Sequence, residues 1–144
     1  MNAFVDPVEE FKAACAGLDA AHRFTDAELE VVYSLAFNLY SSGRYLEALK
    51  YFQFLSLYRP VKARFLKGLA ACQYMSQQYQ EASTTSSLLV LLDPNDAEAL
   101  FLNGQALLMT GETEDAKLCL QHAASLPGDK GPERAKALLE LIAH

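Results

Sequence analysis

The chain has 144 residues, 51% of them hydrophobic, with 12 basic against 18 acidic side chains and a net charge of −6. That is enough chain for one domain with a buried core, and the acidic balance argues against nucleic acid, whose binding needs clustered Lys and Arg. No uncharged apolar run approaches the roughly 18 residues of a membrane span, and Met1–Glu10 carries Asp6, Glu9 and Glu10 without a basic residue, unlike a secretory signal or transit peptide.

The first expected element covers Val8 to Ala21, where Val8, Phe11, Cys15 and Leu18 fall on one helical stripe. This amphipathic helix either caps the helices after it or pairs with a second subunit, and both readings stand. Phe4, Val5, Val8, Phe11 and Leu18 are the candidate dimerisation residues. Thr25-Asp26-Ala27-Glu28 reads as a capping box that starts the next helix. Ser42-Gly43-Arg44-Tyr45 is a short turn between antiparallel helices, and Thr110-Gly111-Glu112-Thr113 is another. Tyr58-Arg59-Pro60 and Leu92-Asp93-Pro94-Asn95 stop helices, because Pro disfavours the helical conformation in the residue before it. Asp96 is the expected N-cap of a helix from Ala97 to Met109. After Pro127–Pro132 a last helix, Glu133 to Ile142, exposes Glu133, Arg134, Lys136 and Glu140 and turns Ala135, Leu138, Leu139 and Ile142 inward.

These elements recur. A shift of 34 residues carries Ala48 onto Ala82 and Ala116, Pro60 onto Pro94 and Leu55 onto Leu89, and two such shifts carry Gly43 onto Gly111. The period resembles the tetratricopeptide (TPR) repeat and yields three repeats, Leu29–Lys62, Ala63–Asp96 and Ala97–Lys130. Position four is Val32, Leu66 and Leu100, and position seven is Leu35, Leu69 and Asn103, where the third repeat departs from the Leu of the pattern. Position eight is Ala36, Ala70 and Gly104, and position twenty is Ala48, Ala82 and Ala116. Both must be small because the paired helices cross closely there. The expected fold is all-α: three tandem TPR helix pairs over 26–130 forming a right-handed superhelical array. An N-terminal helix region (1–25) precedes it, and a C-terminal helix (131–144) caps the array's last apolar face.

In a TPR array the first helix of each repeat lines the concave side at about positions two, five, nine, twelve and thirteen. The first repeat offers Glu30, Tyr33, Phe37, Tyr40 and Ser41 there. The second offers Arg64, Lys67, Ala71, Tyr74 and Met75, and the third Glu98, Phe101, Gln105, Leu108 and Met109. From these, Tyr33, Phe37, Tyr40, Arg64, Lys67, Ala71, Tyr74, Met75, Phe101, Gln105 and Leu108 are the candidate peptide-binding residues. Aromatic rings give large contact area at low entropy cost, and Met adapts to irregular partners. Core packing is the alternative for such a stripe. For Tyr33, Phe37 and Tyr40 it is weakened because Val32, Leu35, Ala36 and Leu39 already supply a packing face. The Lys, Asn and Arg clamp by which some TPR proteins hold acidic C-terminal tails has no counterpart here, which favours an apolar or Pro-containing ligand.

The run Val32–Tyr40 followed by Ser42-Gly43-Arg44-Tyr45, and Arg64–Cys72 followed by Gln78-Tyr79, resemble the class II chaperones of bacterial type III secretion systems. The likeness extends from about Asp26 to Ala124. It implies a bacterial cytoplasmic, virulence-associated chaperone that holds hydrophobic translocator proteins soluble through an extended segment in the concave groove, with Tyr33, Phe37 and Tyr40 as groove aromatics. It also implies homodimerisation through the N-terminal region. Lys67, where relatives carry an apolar residue, and the looser match of Phe101-Leu102-Asn103 are departures.

Two other readings share the fold: a TPR scaffold or adaptor bridging secretion or assembly proteins, and a needle-subunit chaperone, whose relatives are usually shorter. An enzyme is not expected. His22, His122 and His144 are far apart, no nucleophile sits in a known motif, and Asp93, Asp96 and Glu98 cluster where helix capping explains them. Cys15, Cys72 and Cys119 are odd in number, with no CxxC or Cys/His ligand spacing. Buried reduced thiols are expected, and neither a cofactor nor a metal.

Overall fold

The structure, a computed structural model, describes residues 6–17 and 19–143. The described residues form α1 (Pro7–Ala16), a 3-10 turn (Asp19–His22), α2 (Asp26–Ser41), α3 (Tyr45–Tyr58), α4 (Ala63–Met75), α5 (Tyr79–Leu92), α6 (Ala97–Met109), α7 (Thr113–Ser125) and α8 (Lys130–Ile142). The expected all-α class holds. The chain divides into two compact units, Met1–Leu69 and Ala70–His144, with the boundary inside α4.

In the first unit, Asp6 caps α1 by accepting from the Val8 N–H at 3.0 Å, and Pro7 takes the first helical position, where its missing N–H costs nothing. The expected continuous helix from Val8 to Ala21 does not form. α1 ends at Ala16, where the Gly17 N–H turns back onto the carbonyls of Ala13 and Ala14, and a separate 3-10 turn follows. α2 opens with the expected capping box: the Glu28 N–H donates to Thr25 Oγ1 at 3.1 Å and the Thr25 N–H to Glu28 Oε1 at 2.9 Å. The bonds from Thr25 hold the Glu28 carboxyl below its usual range. Gly43, at φ +80, closes the turn to α3 in the left-handed region that glycine enters without strain.

Leu29, Ala36, Ala48, Phe52, Leu55 and Phe65 are buried between α2, α3 and the start of α4. Arg59 ties the segment before α2 to the end of α3. Its guanidinium donates to the carbonyls of Ala21 (2.6 Å) and Phe24 (2.9 Å) and pairs with Asp26 at 3.0 Å. The Phe24 ring completes the joint, 5.5 Å from Phe54 and 4.9 Å from Tyr58.

In the second unit α5, α6, α7 and α8 pack in sequence, and α8 also packs on α6. Ala82 and Ala116, like Ala48, are buried, as the small-residue spacing requires. Gly104 is small for a visible reason: a Cβ there would stand 2.7 Å from Leu120. Asn103, the departure at position seven, meets polar neighbours. Its Oδ1 accepts from Ser86 Oγ at 3.1 Å and Ser87 Oγ at 3.2 Å, and its Nδ2 donates to Cys119 Sγ at 3.5 Å. Gln77 lies midway between Gly43 and Gly111 in the period and holds the same left-handed turn at φ +65, where a side chain brings strain.

α8 begins at Lys130, three residues before the expected start. Pro132 is accommodated because the first-turn N–H groups have no intrahelical acceptor. Gly131 lets α8 approach the backbone of α6, where a Cβ would meet Ala97 at 2.8 Å. Ala135, Leu138, Leu139 and Ile142 pack with Leu100, Phe101 and Leu120, the role expected of a cap. The described cysteines are free, and burial pushes the Cys72 thiol up to about 12.

Candidate functional site

Each unit carries part of the expected peptide-binding set. In the first, Tyr33 on α2 is half-buried. Its ring packs on the buried Phe52 (centroids 6.0 Å) and Phe65 (5.7 Å) and stacks on Phe37 at 6.2 Å. Phe37 is 51% exposed, so it is the part of the pair that solvent reaches. The Arg64 guanidinium carbon lies 4.4 Å from the Tyr33 centroid, and Arg64 Nη2 donates to Glu30 Oε2 at 2.7 Å. That pairing with Glu30 raises the Arg64 pKa further and keeps the cation in place. Tyr40 is edge-on to Tyr45 at 5.4 Å, and Lys67 is half-buried.

In the second unit Tyr74, Phe101, Gln105, Leu108 and Met109 line one cavity of about 380 Å³. Tyr74 packs edge-on against Tyr79 at 5.4 Å, and burial, followed by the neighbouring Tyr79, raises its hydroxyl pKa. Phe101 differs from the others: it is only 7% exposed and belongs to the core cluster as well as to the cavity wall. Ala71 is half-buried and Met75 exposed, and neither lines this cavity.

Sequence reasoning missed the far wall. Arg134, Ala137, Leu138 and Leu141 of α8 close the cavity, and the Arg134 guanidinium carbon lies 4.4 Å from the Phe101 centroid. The signal was present in Arg134, one polar residue beside the apolar stripe of α8, but it read as ordinary solvated surface. The packing face assigned to α2 also needs correction. Ala36 is fully buried, but Leu35 is 45% exposed, and Val32 lines an open cleft of about 560 Å³ with Glu47, Lys50, Tyr51 and Phe54.

Of the candidate dimerisation residues, Val8 is half-buried and Phe11 is 47% exposed on α1. Phe4, Val5 and Leu18 lie outside the described residues. No described helix is long and apolar enough to cross a membrane.

A tetratricopeptide-repeat family model matches residues 39–99. Low calcium response locus protein H of Yersinia pseudotuberculosis is 38% identical over 120 residues, covering 79% of this chain and 71% of its own. The Yersinia enterocolitica type III secretion chaperone SycD, solved with a peptide of the translocator YopD and also as an alternative dimer, is 34% identical. In the peptide complex the match covers 85% of this chain and 97% of SycD, with a TM-score of 0.74. PcrH of Pseudomonas aeruginosa, solved with the chaperone-binding region of PopD, is 28% identical over 84% of this chain and 95% of its own, with a TM-score of 0.76. The repeat period, the helix pairs and these likenesses agree: the chain belongs to the class II, TPR-type chaperones of type III secretion translocator proteins.

Proposed function

We propose that this chain is a cytoplasmic, non-catalytic chaperone that binds hydrophobic translocator proteins and keeps them soluble until secretion. It takes an extended translocator segment on the exposed faces of its first helices. Tyr33, Phe37, Tyr40 and Arg64 serve in the first unit, and Tyr74, Met75, Phe101, Gln105 and Leu108 in the second, with Lys67 and Ala71 on α4 between these groups in sequence. The observation that carries this reading is Phe37, a large ring half in water and stacked on a supported Tyr33. An exposed aromatic surface of this kind marks an interaction site.

Burying each apolar anchor of the ligand contributes roughly 1.5–3 kcal/mol. Three anchors, less the cost of ordering an extended segment, give affinity on the order of micromolar. Such a complex masks an aggregation-prone segment and still releases it. The chaperone acts as a homodimer, with Val8 and Phe11 of α1 contributing apolar area.

The test is co-expression with full-length YopD or PopD, scored as soluble complex. Tyr33 also supports the core, so Phe37→Ala is the cleaner perturbation. Wild type should keep the translocator soluble, and Phe37→Ala should lose most of the complex without losing helical content. An unimpaired Phe37→Ala complex would move the binding surface elsewhere and favour a scaffold.

A further inference from the structure

Both units lay an arginine on the aromatic ring at the fifth position of a first helix: Arg64 on Tyr33 and Arg134 on Phe101, each at 4.4 Å. The two constructions differ in charge. Arg64 is neutralised within the chain by Glu30. Arg134 makes no ion pair among the described residues. A guanidinium stacked on a ring by its face keeps its N–H edge free, and that edge presents a planar fork matched to a carboxylate. Arg134 is exposed and lines the 380 Å³ cavity, whose remaining wall is mostly apolar: Tyr74, Phe101, Leu108, Leu138 and Leu141. A cationic edge beside an apolar cavity, in a chain of net charge −6, suits a ligand that carries both an apolar anchor and a carboxylate.

Resting on the chaperone reading, we propose that Arg134 is a specificity-determining residue. The cavity of the second unit takes an apolar side chain of the translocator segment, and Arg134 pairs with an Asp or Glu within two residues of that anchor. An extended strand rises about 3.3 Å per residue and returns to the same face every second residue. A carboxylate in that interval therefore falls within reach of an exposed arginine lining the cavity. Charge at this point sorts acidic-flanked apolar segments from neutral ones of equal hydrophobicity.

The experiment uses the full chain and labelled peptides of the YopD and PopD chaperone-binding regions, each scanned at every position with Glu and separately with Gln, read by fluorescence anisotropy. At one or two neighbouring positions the Glu peptide should bind roughly five-fold more tightly than its Gln counterpart, the scale of a partly exposed ion pair. The ratio should fall toward one in Arg134→Gln and in high salt, survive in part in Arg134→Lys, and reverse in Arg134→Glu. Equal binding of Glu and Gln peptides at every position, or a preference that persists in Arg134→Gln, overturns the proposal and leaves the chaperone reading intact. If wild type binds neither parent peptide, the chaperone reading falls and this proposal falls with it. Arg134 is exposed, so unchanged melting temperatures confirm that the variants fold, and the Glu/Gln ratio is one that a purely structural role would not move.

Discussion

Gly68 is where a single methyl group should do the most damage. A Cβ built there stands 2.1 Å from one atom of the Phe52 ring and 2.4 Å from two more. Ordinary carbon contact is about 3.5 Å, so ring and helix must separate by about 1.4 Å. Phe52 is 1% exposed and has no solvent to move into. Overpacking of this kind costs about 3 kcal/mol at the upper end of its usual range. Replacing Gly by Ala in a helix returns about 1 kcal/mol of propensity. Gly68→Ala should therefore destabilise the fold by about 2 kcal/mol, lowering the melting temperature by about 6–8 °C for a domain of this size. Circular dichroism melts of wild type, Gly68→Ala, Phe52→Leu and the double variant test the cause as well as the size. If the ring is the obstacle, the double variant should be at least about 1 kcal/mol more stable than the two single effects summed. A melting temperature that rises in Gly68→Ala would refute the reasoning, since helix propensity would then outweigh a contact that the ring evidently escapes. Tyr33 rests on Phe52, so weaker peptide binding should accompany the lost stability.

The same structure carries four further expected outcomes. Gln77→Gly should stabilise by about 0.5–1 kcal/mol, because the left-handed turn then carries no side-chain strain; a lower urea midpoint would contradict this. Arg59→Ala should speed tryptic cleavage at Arg23 while leaving helical content nearly unchanged, because two carbonyls and Asp26 lose their common donor. Unchanged cleavage would show that the Phe24 ring alone holds the segment. Cys72 is neutral in the fold and titrates near 12 against an ordinary 9. Its raised folded pKa means its contribution is complete below pH 9 and is lost as pH climbs from 9 toward 12. Cys72→Ala should flatten that part of the stability profile, and an unchanged alkaline slope would assign it to other groups. Asn103→Leu should change stability by less than about 1 kcal/mol, since the single Ser86 hydroxyl proton has the Ala82 carbonyl as a nearer acceptor at 2.7 Å and Ser87 can turn to water. A loss above about 2 kcal/mol would make the polar network itself the stabilising element.

The fold was legible wherever one residue type had one physical reason to recur. Ala48, Ala82 and Ala116 mark close crossings, Gly43 and Gly111 mark left-handed turns, and Thr25 with Glu28 marks a helix start. Gln77 breaks the turn code without breaking the turn, so it is visible only as a dihedral angle. Asn103 looked like a defect because its hydrogen-bond partners, Ser86 and Ser87, lie on another helix, a relation that a pattern within one helix cannot carry. Pro132 argued for a loop, whereas Gly131 beside it needed a helix close to Ala97. The candidate surfaces were legible as positions on first helices, but their supports were not. Phe52 lies beneath Tyr33, and Arg134 reaches Phe101 from the last helix, each a neighbour in space rather than in the helical turn or the repeat.

Arg59 fastens the chain at residues 21 and 24 through their carbonyl oxygens, a group that every amino acid carries. Such a fastening is blind to side-chain identity. Apart from Phe24, whose ring is packed, the residues it spans can drift in sequence and still be held in the same place. The lead into the first repeat can thus acquire new surface chemistry, by evolution or by design, without first having to reinvent its own anchorage.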